Sequence, residues 1–318
     1  MTNRTKLLAV VSFLIFAFGN QIFAQNTKEI LWSTDWSPNG DFIAIGGNVD
    51  SLKIYKANDV KFYKSFPIKN TITRTKWHPS KSIIAVATQM SEDKSSIINL
   101  ETGKKIELNG ISPDGARGID WNYTGEYLVL ADNDGQIFIY NVKGDLIRKF
   151  SNENNKSITS VAWHPNKNIF ITLSDKIRLF DIEGNLIKSI KHRPEEVMLL
   201  SVDWHKSGDF FVTGDYGDEK TKSLLQYWNA NGELIKSIDI SKGEYRNISW
   251  DKKGNRLATA SDKLRIWDTK GNLISEGDSK DYLWGVSWNQ KGNRIITSSV
   301  EQRIILWNNK AQRILTLE

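Results

Sequence analysis

LRIWDTKGNLI, Leu264 to Ile274, is almost written once before in the chain. IRLFDIEGNLI runs from Ile177 to Ile187, 87 residues upstream. In both stretches an alternating apolar run ends in an aromatic residue and an aspartate. A glycine–asparagine turn follows, and a second apolar run begins. Period-two alternation on either side of a glycine turn predicts two antiparallel strands. A near-copy at this distance implies that the hairpin belongs to a repeated unit.

The unit shows itself when the chain is aligned on tryptophan. Trp36, Trp77, Trp121, Trp163, Trp204, Trp250 and Trp288 sit in DWSPNG, KWHPSK, DWNYTG, AWHPNK, DWHKSG, SWDKKG and SWNQKG, at intervals of 38 to 46 residues. A short alternating run leads into each tryptophan, as in SVAW and GVSW. A polar turn follows, then a second apolar run such as SIIAVAT, EYLVLAD or NRLATAS. The third run is SLKIY, QIFIY, KIRLF, KLRIW or RIILW, and the fourth opens after glycine, as in GDLIRKF and GNLIKSI. Runs of this length, rich in β-branched and aromatic residues and bounded by turn residues, are strands. Four antiparallel strands per unit and seven units predict an all-β protein, a seven-bladed β-propeller of four-stranded antiparallel blades. The blades fall at about 31–67, 71–110, 116–151, 157–192, 198–239, 244–278 and 282–318. One blade has two apolar faces and cannot bury both alone, so stacking in a ring is what makes the repeat fold. The tryptophan is a large flat filler for the space between blades.

These residues resemble the WD-repeat family over essentially all of 31–318. RIWDTKGN carries the family's Trp-Asp pair at Trp267 and Asp268. Phe180 and Asp181, and Tyr140 and Asn141, stand in the same places, and INLETG, Ile98 to Gly103, resembles the same ending. Asp134, Asp175 and Asp262 match the family's turn aspartate. The Gly-His pair expected before each first strand is missing, so the family's four-residue hydrogen-bonded network lacks its histidine. Those aspartates then need other partners, expected to be backbone N–H groups of their own turns. In most WD-repeat proteins the N-terminal strand completes the last blade. Here Gln312 to Glu318 fits the fourth-strand pattern and is expected to close blade seven itself.

The ends and the composition set further expectations. MTNRTK is basic, and LLAVVSFLIFAF, Leu7 to Phe18, is a short apolar run followed by Ala24 and Gln25. This is the pattern of a secretory signal peptide over 1–24, too short for a comfortable membrane span. It predicts an exported protein, periplasmic or extracellular, with no stable span once the signal is removed. Without Arg4 and Lys6 the chain holds 41 basic and 37 acidic residues, spread along its length, which gives no argument for a nucleic-acid partner. It has no cysteine, hence no disulfide, thiolate metal site or cysteine nucleophile. No cofactor motif is present: no glycine-rich phosphate loop and no nucleophile elbow.

Candidate chemistry divides by position. His78, His164 and His205 each follow a repeat tryptophan, on blades two, four and five; a metal ring is conceivable, but polar turn residues fit better. His192 reads as a lone loop residue. Asp35, Asp120 and Asp203 each precede a repeat tryptophan and either line the channel, where they could hold a cation, or cap turns. Blade five has a long, mixed-charge second turn, GDYGDEKTKSLL, Gly214 to Leu225.

The most informative layer lies four residues before each repeat tryptophan: Trp32, Thr73, Arg117, Thr159, Leu200, Arg246 and Trp284. The resemblance places the loops entering the first strands at one channel mouth, where partners dock. Blades six, seven and one are neighbours in a closed ring, which brings Arg246, Trp284 and Trp32 together, with Tyr245 and Tyr282 close in sequence. Arginine with tryptophan and tyrosine is hot-spot composition. Trp32 and Trp284 could instead fill the seam between the first and last blades. The resulting expectation is a monomeric, non-enzymatic scaffold binding a protein or peptide at the mouth through Trp32, Arg117, Arg246, Trp284, Tyr245 and Tyr282. The alternative is a hydrolase or lyase, metal-dependent or not, with a site at the same mouth.

Overall fold

The structure is a computed structural model that describes residues 29–89, 93–153, 155–218 and 220–318. The predicted signal segment, 1–24, lies outside the described residues. Seven four-stranded antiparallel sheets form, each with its strands in sequence order. The innermost strands are Leu31–Trp36, Thr71–Trp77, Ala116–Trp121, Ser160–Trp163, Leu199–Trp204, Asn247–Trp250 and Leu283–Trp288, each ending on a repeat tryptophan. No helix among the described residues is long and apolar enough to cross a membrane.

The core is not one cluster but seven, one per junction between blades. At the first, Ala44, Leu52 and Ile54 of blade one meet Ile72, Trp77 and Ile84 of blade two. At the last, Ile296, Ile304 and Leu306 of blade seven meet Leu31, Trp36 and Ile43 of blade one. All seven repeat tryptophans are buried. The outer strands are mostly exposed: Leu186–Ile190 has no fully buried residue. Lys188 and Lys236 sit on these edge strands, where charge discourages edge-to-edge pairing.

Ring closure follows the C-terminal expectation. Arg313–Leu317 pairs antiparallel with Ile304–Asn308 as the fourth strand of blade seven. Blades seven and one are then joined by packing and by two donors of Trp36: its N–H reaches Ser287 Oγ (3.4 Å) and its indole N–H the Ser287 carbonyl (3.1 Å).

The histidines that follow tryptophan hold neighbouring blades together. His78 Nε2 lies 3.1 Å from the Gly125 carbonyl, His164 Nε2 3.2 Å from that of Gly208, and His205 Nε2 2.7 Å from that of Gly254. His78 Nδ1 accepts the N–H groups of Ser80 and Lys81, which leaves Nε2–H as the donor to glycine. Each ring also packs edge-on against the next blade's tryptophan, His164 on Trp204 with centroids 4.7 Å apart. The three imidazoles therefore serve three separate junctions and do not converge.

The glycine under each ring has no substitute. Gly208 has φ +76°, and a Cβ there would stand 2.4 Å from His164 Cε1. Gly208→Ala combines a left-handed alanine with that clash and should cost about 2 kcal/mol of stability. Urea denaturation checks this; an unchanged midpoint would contradict the clasp.

Candidate functional site

The first strands run alongside one another around the axis, so equal positions counted back from tryptophan form layers across the channel. Nearest the tryptophans lie Asp35, Asp120 and Asp203. They line the channel wall rather than cap turns. Asp35 Oδ2 accepts the Trp77 N–H (2.9 Å), Asp120 Oδ2 that of Trp163 (2.9 Å) and Asp203 Oδ2 that of Trp250 (3.0 Å). Each acid thus satisfies a donor of the following blade that its own sheet leaves free.

A cation does sit among them, and it is Lys76. Its Nζ stands 3.9 Å from Asp120 Oδ1. Burial works against the ammonium, but Asp120, Asp35 and Asp203 outweigh it and hold its pKa above the usual lysine range. Burial raises the carboxyls of Asp35 and Asp120, opposed chiefly by Lys76. Asp203 is pushed up to about 6, again by burial against the pull of Lys76. Among the described residues no group of three or more histidines and acids is arranged to hold a metal ion.

Four residues back, the seven predicted positions all line one constriction of about 40 Å³, joined by Arg74 from the layer below. Thr73 and Thr159 are buried; their hydroxyls donate to the carbonyls of Ala116 and Leu199 on the next blade, both at 2.7 Å. The other side of the ring is aromatic and cationic. The rings of Trp32 and Trp284 meet edge-to-face, centroids 4.6 Å apart at 86°. The Arg246 guanidinium lies 4.3 Å over Trp284 and that of Arg117 5.5 Å over Trp32. Glu244 pairs with Arg246 (3.1 Å), and Gln89 Oε1 accepts from Arg117 (3.2 Å). Burial, with Arg246 adding repulsion, lowers the Arg117 pKa. Trp32 and Trp284 are half-buried, unlike the seven repeat tryptophans, so they fill part of the seam and keep a face toward the mouth.

Two predicted aromatics part company. Tyr282 is exposed at the rim (47 %). Tyr245 is wholly buried in the cluster between blades five and six and is no part of the mouth. Arg246 faces the constriction while its neighbour turns the other way, into the blade interface.

Tyr216 and Arg74 were not anticipated. Tyr216 opens the long turn of blade five and stacks under Arg246 at 5.1 Å. Arg74 had a visible signal: the same position holds Ser33, Gly118, Ser160, Ser201, Asn247 and Gly285 in the other blades, so it is the one long side chain of its layer. Beside the mouth, the blade-five turn and blades six and seven enclose a groove of about 1040 Å³, lined among others by Tyr216, Lys220, Lys242, Tyr282 and, shared with the mouth, Arg246 and Trp284.

The place thought to lack its histidine holds one in blade five. His192 is buried with Nε2 3.6 Å from Asp215 Oδ2, too far for a hydrogen bond, and neither ring nitrogen has a hydrogen-bond partner among the described residues; the Trp228 indole donates to Thr213 Oγ1 (2.9 Å). Elsewhere shorter polar residues take the place: Asn152 donates to Ser174 Oγ, and Ser241 to Asp262. The turn acids thus use side chains rather than their own backbone, Asp175 with Arg178 and Asp262 with Arg265. In blade three the acid with this role is Asp132, which accepts the N–H groups of Asp134 and Gln136.

Comparison with known proteins agrees with this architecture. Residues 132–286 match the family described as eukaryotic translation initiation factor eIF2A, residues 34–124 the anaphase-promoting complex subunit 4 WD40 domain, and residues 271–308 the WD domain, G-beta repeat. The chain is 24 % identical over 153 residues to an intraflagellar transport protein 80 homolog of Mus musculus, covering 48 % of this chain and 19 % of that protein. It is 25 % identical to the transcriptional corepressor LEUNIG_HOMOLOG of Arabidopsis thaliana, over 56 % of this chain and 23 % of that one. It is 22 % identical to the eukaryotic translation initiation factor 3 subunit I of Kluyveromyces lactis, over 60 % and 59 %. The chain spans less than a quarter of the first two relatives. Intraflagellar transport, transcriptional corepression and translation initiation are processes inside the cell, and they overturn the expectation of export drawn from the N-terminal residues.

The channel acids yield a pH prediction. Because the folded-state pKa of Asp203 is raised, its proton-linked stability is present below about pH 4, the ordinary aspartate range, and is lost as pH rises through about 6. Asp203→Asn keeps an acceptor for Trp250 and carries no charge. It should have a higher urea midpoint than the parent at pH 7.5 and an equal one at pH 4. A variant less stable at pH 7.5 would contradict this.

Proposed function

We propose that this chain, which belongs to the WD-repeat β-propeller family, is a docking scaffold that receives a segment of a partner protein across the channel mouth and the adjoining groove. The observation that carries the reading is the mixed composition of one half of the mouth. Trp32, Trp284, Arg117 and Arg246 stack on one another while keeping a minor part of their surface exposed, and Tyr216 and Tyr282 extend the patch into the groove at 45 % and 47 % exposure. Large aromatics and arginines in partly enclosed positions are the residues whose truncation most often disrupts protein interfaces. The relatives lend support: two of the names print a subunit, one of the anaphase-promoting complex and one of translation initiation factor 3. The hydrolase or lyase alternative draws no support from those matches.

The anchor is Trp284, which touches both Trp32 and Arg246. A photo-crosslinking amino acid placed at Tyr282 should capture a discrete partner in cells of the source organism, and one placed at Ile235, exposed on an outer strand, should not. Trp284→Ala should weaken that capture at least tenfold and lower the melting temperature by only a few degrees, since the indole is half-buried. Equal capture at both positions, or unchanged capture by Trp284→Ala, would overturn the docking reading. A loss of about 3–5 kcal/mol of stability would show the indole to be seam packing instead.

A further inference from the structure

Three arginines from three blades face the constriction at the mouth: Arg74, Arg117 and Arg246. Their partners are unequal. Arg246 is matched by Glu244 on its own blade. Among the described residues Arg117 finds the neutral amide of Gln89, and its buried Nε has no hydrogen-bond partner. Arg74 makes no hydrogen bond and no ion pair of 4 Å or less among the described residues, although its guanidinium carries five N–H donors. The nearest acids, Asp35 and Asp120, are already engaged by the tryptophan N–H groups and by Lys76. Burial pulls the Arg74 pKa down to about 10, against the attraction of Asp120, and Arg117 adds to the depression. Arg74 is only partly buried, so its donors stand open to an anion entering from the mouth, whereas the unmet Nε of Arg117 is buried and costly to leave without a partner.

We propose that the mouth is a carboxylate-receiving site, in which Arg74 at the floor and Arg117 at the wall take a single carboxylate directed along the propeller axis, with Trp32 and Trp284 as its apolar collar. Size selects within the anions. The constriction is narrow, about 40 Å³, which suits a small planar carboxylate better than a tetrahedral phosphate or sulfate. Geometry favours it too, because the planar guanidinium fork matches two carboxylate oxygens. The carboxylate comes from a chain end or an acidic side chain of the partner, so the inference rests on the docking reading, although the site itself can be tested with small anions.

The test uses the whole chain and three probes at constant ionic strength: sodium acetate, N-acetyl-glycylglycine with a free carboxylate, and its amide. Both carboxylates should raise the melting temperature saturably at millimolar concentration. The amide, sodium chloride and sodium phosphate should not. Arg74→Met removes no hydrogen bond of the fold and should abolish the response, while Arg246→Met should leave most of it. A tighter response to the peptide than to acetate identifies a chain end as the source; equal responses identify the bare group. If Arg74→Met fails to fold, the guanidinium Nε–H resonances of the parent decide, and two of them should shift on acetate addition. Identical shifts with chloride, a response to phosphate as large as to acetate, or no response at all would overturn the site. Crosslinking at Tyr282 that persists in Arg74→Met would leave the docking scaffold standing while the carboxylate site falls.

Discussion

Everything in this molecule depends on a donor that a blade cannot satisfy by itself. The first strand pairs on one side only, with the second strand, and its channel side offers backbone N–H groups to nothing within the sheet. The N–H of the repeat tryptophan therefore looks to the preceding blade, and at four junctions a side chain there accepts it: Ser287, Asp35, Asp120 and Asp203 for Trp36, Trp77, Trp163 and Trp250. The indole N–H of Trp36, Trp77, Trp121 and Trp163 repeats the gesture to the preceding blade's carbonyl. An unmet buried backbone donor costs about 1–3 kcal/mol, so these bonds fix how far each blade turns against its neighbour. The buried apolar clusters supply most of the driving force, and the hydrogen bonds supply the register.

That register is what makes layers across the channel, and the layers are where chemistry enters. Once seven tryptophans are level, the residues four positions earlier are level too. A sequence that places tryptophan or arginine there on adjacent blades builds a surface without any special loop. The same logic puts three acids and one lysine in a lower layer, where the lysine offsets part of the acids' charge. The channel carries an excess of acids at its base and of arginines at its mouth.

The fold was legible in the sequence because its determinants are local and repeated: a tryptophan every 38 to 46 residues, turn glycines, and strands of period two. The layer at the mouth was legible for the same reason, since counting from tryptophan is counting along a fixed strand. What failed were inferences from nearness in sequence. Tyr245 was grouped with Arg246, but the chain entering the strand turns the tyrosine into the cluster between blades five and six while the arginine faces the mouth. His192 read as a loop residue because the acid it faces, Asp215, ends a strand of the next blade, 23 residues on. Asp35, Asp120 and Asp203 bond to backbone groups 42 to 47 residues away, which no window on one repeat can see. The N-terminal residues pointed to export by composition alone, and the relatives point elsewhere.

The central claim is that the aromatic and arginine half of the mouth is an accessible surface rather than the seam of the ring. Hydroxyl-radical footprinting resolved by mass spectrometry tests it within single strands. Trp32 shares its strand with Trp36, and Trp284 with Trp288; the second of each pair is only 5 % exposed. Oxidation of Trp32 and Trp284 several-fold faster than of Trp36 and Trp288 is the expected result. Equal protection of all four would show that the indoles only close the ring, and would leave the mouth without its anchors.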